Sequence, residues 1–298
     1  MAHTRLLLIG RGHLGGFLRE RLGVPPELHW KEELESLDAA TLRRLAPDAV
    51  VNTAGKTDLG WCEANAHETF RCNVRAPLAL WRAVQAALPE RAPFIHFSSG
   101  CVWDGPYKED GSPFEPDDPP RPACFYSWTK AACDALLLRE TAGRPLVILR
   151  PRQVYSHLNS PRNTLVKLRV YPRLIETPNS MTSAETIART LERLLARPLG
   201  RLPRGRIIAV YDRGITSPFE VGRMLAQAGL REEPARMPRA ELDAALKPKR
   251  VDAVLHDTYF ETLADPPEVG FELERVTRLF ATASWPAPSG RPSWRPSP

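Results

Sequence analysis

Phe94-Ile95-His96-Phe97-Ser98-Ser99-Gly100-Cys101 and, further on, Phe125-Tyr126-Ser127-Trp128-Thr129-Lys130 bracket the stretch on which the reading of this chain turns. The first segment is an apolar run of strand length that ends in small hydroxyl residues. The second opens an Ala/Leu-rich pattern of helical period. Tyr126 and Lys130 lie four residues apart there, one turn of helix, and so share a face. An ammonium beside a phenol favours the phenolate, so the spacing predicts a lowered tyrosine pKa and proton exchange with a carbonyl. Ser99, at the carboxyl end of the strand, stands where it can hydrogen-bond the same carbonyl oxygen. A Tyr-x-x-x-Lys pair alone is usually a surface pair. Of the six tyrosines, however, only Tyr126 has a lysine four residues later.

Such a pair needs a nucleotide-binding half in front of it, and the chain supplies one. The apolar run Arg5 to Ile9 leads into Gly10-Arg11-Gly12-His13-Leu14-Gly15, a G-x-G-x-x-G turn ahead of a helical pattern over Phe17 to Leu22. Glycines there permit a tight turn and let backbone N–H groups approach a pyrophosphate at the helix N-terminus. The next strand is expected near Glu27 to Trp30. Where enzymes that prefer NAD place an acid for the adenosine ribose, this chain has His29, Trp30 and Lys31. With Arg11 inside the turn, two cations can meet a 2′-phosphate, and NADPH is the expected cofactor with NADH as the alternative. The bland reading of Lys31 is that it opens a solvated helix. The run from Pro47 ends in Asn52-Thr53-Ala54-Gly55, small residues that leave room for a dinucleotide over a strand end.

The remaining pattern alternates short apolar strands with amphipathic helices, which predicts a doubly wound parallel sheet of the Rossmann type in an α/β chain. Helices are expected over 38–45, 61–70 and 74–88, with Pro77 in a first turn, and a strand over 146–149. The Pro, Asp and Gly of 104–123 predict an ordered loop. After Pro151 the alternation fails. Residues 157–183 carry Asn159, Arg162, Asn163, Lys167, Arg169 and Arg173, and are expected to cap the sheet and line a substrate cleft with positive charge. Helices are expected over 184–195, 218–228 and 239–246. The layout is therefore a dinucleotide-binding domain over 1–150 and a smaller substrate-binding region over 151–283. Residues 205–211 are expected back in the main sheet, and 284–298 form a Pro/Ser/Arg tail expected to be disordered.

Composition narrows the function classes. The chain has 298 residues, 43% of them hydrophobic, enough for one large α/β domain or two smaller ones. Arg5 is followed by only four apolar residues before Gly10, and no apolar run approaches a membrane span, so neither a signal peptide nor a membrane partner is expected. Five cysteines without a Cys-x-x-Cys pair argue against a metal site or a disulfide framework and fit a reducing cytoplasm. The net charge of +6 is spread among nearly as many acids, without the clustered cations and aromatics of a nucleic-acid surface.

With these pieces placed, the chain resembles the extended short-chain dehydrogenase/reductases that act on nucleotide sugars, first the dTDP-4-dehydrorhamnose reductase type. The matching stretches are PDAVVNTAG, the Asn73-Val74 pair, SSGCVWDG, PYKEDGSPFEPDDPP, YSWTK and LKPKRVDAVLHDT. More narrowly, WCEANAHETFRCNV, SSGCVW, FYSWTKA, LNSPRNTLVKL and IETPNSMT resemble the plant-type nucleotide-rhamnose synthases, which are epimerase/reductases. Single-function reductases of that pathway usually carry Asp-Tyr at the place of Gly100-Cys101. The bifunctional family carries Gly-Cys, and a lysine matching Lys167. The resemblance implies that Asn73 joins the cofactor site and that Ser99, Gly100, Cys101, Trp103, Arg162, Asn163 and Lys167 line the sugar site. It also implies a homodimer. Arg150 to Tyr155 is closer to the general reductases than to the plant-type enzymes, and Ser99 stands where threonine is typical.

A ketone at sugar carbon 4 acidifies the hydrogens on carbons 3 and 5. A base must remove each proton, and an acid on the opposite face must return one. A thiol and an amine suit that exchange when burial and neighbours bring them toward neutrality, so Cys101 and Lys167 are the expected epimerase pair. Their bland readings are a small core residue and a diphosphate contact. The expected function is a bifunctional 3,5-epimerase/4-reductase that converts a UDP-, dTDP- or GDP-linked 4-keto-6-deoxyhexose to a 6-deoxy-L-hexose such as L-rhamnose; the alternatives are a 4-ketoreductase without epimerase activity and a non-catalytic NADP-binding regulatory subunit.

Overall fold

Short apolar runs without alternation are buried on both faces, and six strands in this chain lie side by side. The computed structural model describes residues 4–282; the proposed 284–298 tail falls outside them. The strands are β1 (Leu6–Ile9), β2 (His29–Trp30), β3 (Ala49–Asn52), β4 (Phe94–Phe97), β5 (Leu146–Pro151) and β6 (Arg204–Val210), in the spatial order β2-β1-β3-β4-β5-β6. Every pairing is parallel. Ile9 pairs with Asn52 and Asn52 with His96, so the segments leaving β1, β3 and β4 emerge next to one another. Between β1 and β3 the strand order reverses, and that is where open α/β sheets form a crevice at the strands' carboxyl ends.

Helices cover both faces. In chain order they are α1 (His13–Arg21), α2 (Ala39–Leu45), α3 (Leu59–Ala64), α4 (Ala66–Phe70), α5 (Ala76–Ala87), α6 (Phe125–Arg139), α7 (Thr164–Val170), α8 (Ala184–Leu195), α9 (Pro218–Gln227), α10 (Arg239–Ala245), α11 (Thr258–Ala264) and α12 (Val269–Thr282). Side chains alternate along each strand. Leu8, Val51, Ile95 and Val147 therefore pack with Phe17 of α1, Ile187 of α8 and Phe260 of α11. Leu7, Val50, Phe94 and Ile148 pack with Leu42 of α2, Trp81 of α5 and Leu137 of α6. A third cluster gathers Tyr155, Leu165, Leu174, Phe219, Leu225, Leu273 and Phe280 from the later part of the chain, around α7, α9 and α12. Two short parallel ladders, Val154–Tyr155 with Thr182–Ser183 and Arg173–Leu174 with Ala235–Arg236, frame that cluster. None of the described helices is long and apolar enough to cross a membrane.

Local chemistry moves several expected boundaries. The helix expected over 61–70 is broken at Asn65, whose side-chain amide donates to the Trp61 carbonyl at 2.9 Å and competes with the backbone ladder. The helix expected over 74–88 is preceded by a π turn over Arg71–Arg75. Pro77 lacks the N–H that would meet the carbonyl one turn earlier, and the wider turn accommodates its ring. Helices α7, α11 and α12 were not anticipated. The first two open on Asn163 and Asp257, whose side chains cap them by accepting from the N–H groups of Leu165 and Phe260.

Candidate active site

The glycine turn after β1 is shaped by its neighbours rather than by freedom alone. Gly10 sits at φ +126°, and a Cβ there would come 2.3 Å from Thr53 Oγ1; one on Gly15 would come 2.1 Å from the Gly10 carbonyl oxygen. The Thr53 hydroxyl donates to the Ile9 carbonyl at 2.7 Å, and the buried His29 ring lies 2.8 Å from the Gly10 carbonyl oxygen. β1, β2 and β3 thus pin the turn from three sides. Gly12 caps α1 without a side-chain bond, leaving the first N–H groups of that helix to a ligand. Ala54 and Gly55 follow at the end of β3, with Asn52 turned inward to hold the Ala54 N–H at 3.0 Å. The turn fits a dinucleotide pyrophosphate. Arg11 is exposed and approaches Glu33 at 3.9 Å; Lys31 is also exposed.

Ser99, Tyr126 and Lys130 gather at the carboxyl end of β4, each at most 6% exposed. Ser99 caps the turn Gly100–Val102 by accepting the Cys101 N–H at 3.1 Å. Burial, followed by the Cys101 sulfur, pushes the Tyr126 phenol well above its ordinary range, and the Ser99 hydroxyl offsets part of that rise. Burial likewise pushes the Lys130 ammonium down, against the opposing pull of Cys133 and Asp134. Its Nζ donates to the Phe97 carbonyl at 2.8 Å. The expected lowering of Tyr126 by Lys130 is therefore corrected, because the ammonium is committed to the strand end and burial governs the phenol. A Cβ on Gly55 would stand 3.7 Å from Lys130 Nζ, so the lysine reaches the β3 loop where a dinucleotide would lie.

Lys167 approaches from α7. It is exposed to solvent, although many protein atoms lie around it. Desolvation, then Arg250 and Arg162, lower its pKa, while Asp58 and Cys101 pull the other way. His13, in the glycine turn, is pushed down to about 4 by burial, then by Lys167 and His157. Arg162 lies against the same turn, 3.2 Å from where a Gly12 Cβ would be. The cationic segment therefore lies near both the dinucleotide turn and Cys101 beside the tyrosine pair.

Comparison with known proteins places this arrangement. The family model of the RmlD substrate binding domain matches residues 27–285. The chain belongs to the RmlD family. A trifunctional UDP-glucose 4,6-dehydratase/UDP-4-keto-6-deoxy-D-glucose 3,5-epimerase/UDP-4-keto-L-rhamnose-reductase of Arabidopsis thaliana is 34% identical over 191 residues, 60% of this chain and 28% of that protein. This RmlD-family chain thus spans less than a third of that relative's length. Among solved structures, a UDP-rhamnose synthase from Acanthamoeba polyphaga mimivirus superposes with a TM-score of 0.79 at 20% identity, covering 93% of this chain and 100% of that one. RMD from Pseudomonas aeruginosa, solved in complex with NADPH, superposes with a TM-score of 0.71 at 19% identity, covering 94% and 97%. At such identities the likeness is one of fold.

Within this RmlD-family fold, three residues expected at the site are held by neighbouring protein groups. Trp103, expected at the sugar, is 0% exposed, stacked on Phe114 at 5.7 Å with the Arg150 guanidinium 4.8 Å from its ring. Asn163, also expected there, is fully buried and spends its amide on Ser156 and Leu158 carbonyls at 2.7 Å. Asn73, expected at the cofactor, instead clamps the Lys56 backbone, accepting at 2.8 Å and donating at 3.0 Å. All three shape the loops that carry the site. Sequence reading also missed Arg250, which a match to LKPKR had already brought into view, and Arg152, which bonds Cys101.

Proposed function

We propose that this chain is an NADPH-dependent reductase of a nucleotide-linked 4-keto-6-deoxyhexose that also exchanges the protons on carbons 3 and 5 before reduction. The observation that carries the reading is the gathering of Ser99, Cys101 and Tyr126 at one strand end, with Lys167 near enough for its charge to interact with Cys101. The fit of the Gly10–Gly15 turn and the NADPH complex of the Pseudomonas aeruginosa relative support the cofactor. NADPH, when bound, would supply the hydride that reduces the ketone.

The chain's own residues do the rest. Gly10, Gly12 and Gly15 with the α1 N–H groups hold the pyrophosphate; Thr53, Ala54 and Gly55 leave room for the nicotinamide end; Arg11 and Lys31 meet the 2′-phosphate. Ser99 holds the C4 oxygen. Tyr126, kept protonated by burial, delivers its proton to that oxygen. Lys130 contacts the cofactor side of the site and fixes the Phe97 carbonyl beneath it. Before reduction, Cys101 and Lys167 act from opposite sides of the ring, one withdrawing a proton and the other returning one, with Arg162 and Arg250 beside the diphosphate. The name of the trifunctional plant relative, which couples 3,5-epimerase and reductase, supports the two-step reading.

Incubation with UDP-, dTDP- and GDP-linked 4-keto-6-deoxyglucose and NADPH tests it, with the product sugar identified by NMR. In deuterated water without NADPH, deuterium should enter at carbons 3 and 5, and Cys101→Ala should stop that entry yet still reduce an already epimerised substrate. A parent enzyme that takes up no deuterium and reduces only the epimerised sugar would leave a simple 4-ketoreductase. No reduction at all would leave a binding protein.

A further inference from the structure

One buried cation beside the site has no part in the scheme above. Arg152 follows β5 and is 1% exposed. Its Nε donates to Asn179 Oδ1 at 2.8 Å, its Nη2 donates to the Val251 carbonyl, and its backbone N–H donates to Thr182 Oγ1 at 2.8 Å. The Asp252 carboxylate, 4.0 Å away, is shared with Arg239 and Asn179. The remaining nitrogen, Nη1, donates to Cys101 Sγ at 2.8 Å. An arginine that merely required satisfaction would be expected to end on an oxygen. A thiol is a weak acceptor, whereas a thiolate beside a guanidinium is stabilised by its charge.

Gly100 supplies an independent sign that the contact is built. A Cβ there would stand 3.3 and 3.4 Å from Arg152 Cδ and Cβ, and 3.0 Å from Leu255 Cδ1. The arginine crosses directly over this residue on its way to the sulfur, so the glycine and the cysteine are two halves of one arrangement.

We propose that Arg152 is a positioning residue that holds the Cys101 sulfur as a thiolate and aims it at the sugar ring, with Gly100 admitting it. The use of that thiolate rests on the epimerase reading above. The sulfur takes a proton from a carbon next to the ketone, and an S–H bond forms as the C–H bond breaks. The C–H electron pair passes into the enolate, with its charge on the C4 oxygen beside Ser99. Return of a proton from the Lys167 ammonium on the opposite face leaves the N–H pair on nitrogen. The other groups facing Cys101 are Lys167 from α7 and Tyr126 and Cys124 from α6.

Alkylation of Cys101 by iodoacetamide, followed across pH by peptide mass spectrometry, tests the proposal without substrate. In the parent, alkylation should persist to lower pH than that of glutathione. Arg152→Met should slow it at neutral pH by about tenfold or more, the effect of one unit in proton affinity, and Arg152→Lys should restore much of the rate. Deuterium entry into the substrate should fall in step. If Arg152→Met does not fold, Gly100→Ala, which crowds the arginine off the sulfur, should produce the same slowing. A folded Arg152→Met that alkylates at the parent rate, or a parent whose Cys101 follows glutathione, overturns the proposal. Alkylation that tracks Arg152 while no variant, nor the parent, takes up deuterium would uphold the arginine's role and sink the epimerase reading instead.

Discussion

Tyr126 and Lys130 share a helix face, yet their proton affinities answer to different neighbours, and that sets what each can do. A phenol raised by burial remains an acid through the neutral range. Tyr126→Phe should therefore lower the rate of ketone reduction by about 10²–10⁴, the usual span for a general acid, with cofactor titration unchanged. Stopped-flow measurement of NADPH consumption checks it; a variant that reduces at the parent rate removes the tyrosine from the mechanism. Lys167 predicts the opposite pH behaviour. Its affinity for a proton is lowered by desolvation and then by Arg250, so the ammonium that returns the proton is lost below the pH at which a free lysine loses it. Deuterium entry should fall as pH rises through that range while reduction of epimerised sugar stays flat, and Arg250→Ala should move the fall to higher pH. Ser99, Tyr126 and Lys130 were legible because a strand end and one helical turn bring them together within a short span of sequence. Arg152 was not. A charged residue after a strand reads as solvated, and its burial depends on Asn179 and Val251, which lie 27 and 99 residues further on.

Among the elements, the turn from β1 to α1 was the most readable, because its glycines answer to a backbone constraint that spacing alone reveals. Gly15→Ala would drive a methyl to 2.1 Å from the Gly10 carbonyl, so the turn must open. Affinity for NADPH should fall by more than about tenfold, a loss of roughly 1.4 kcal/mol, as nucleotide fluorescence titration would record. Unaltered binding would mean that the turn does not hold the dinucleotide. The preference between cofactors belongs to this element too. Arg11 and Lys31 should favour NADPH, and Arg11→Ala should narrow the ratio of kcat/KM between NADPH and NADH; an unchanged ratio removes Arg11 from the 2′-phosphate. Other helices were missed. Seven residues are too few to display a firm period: of the helices of that length, α2 and α10 were anticipated and α7 and α11 were not. α12 does display one, with Val269, Leu273, Val276 and Phe280 buried on one face, and attention to that spacing would have found it.

At the scale of the whole molecule, Asp212 is where the sheet and the later core meet. It follows β6, is 0% exposed, and accepts from Tyr155 Oη at 2.6 Å, Ser183 N at 2.8 Å and Thr186 Oγ1 at 2.5 Å. Sheet, α8 and the third hydrophobic cluster are thereby tied through one carboxyl group. No local pattern marks such a residue, since its partners lie 26 to 57 residues away. Burial raises its pKa from 3.8 to about 7, against the pull of Thr186 and Tyr155. The folded state therefore holds a proton there that the unfolded chain, titrating near about 3.9, releases. The stability contributed by the protonated form is complete below the unfolded value and is lost as pH rises through about 7. Asp212→Asn carries no charge at any pH, so it should flatten this part of the stability profile. The amide also turns a donor toward groups that already donate, leaving a buried N–H or hydroxyl without its acceptor at a cost of about 1–3 kcal/mol. Urea unfolding at acid and alkaline pH should accordingly show the variant weaker than the parent at acid pH, with the gap closing as pH rises. A gap that is constant with pH would mean that Asp212 stays ionised throughout, its three donors outweighing its burial.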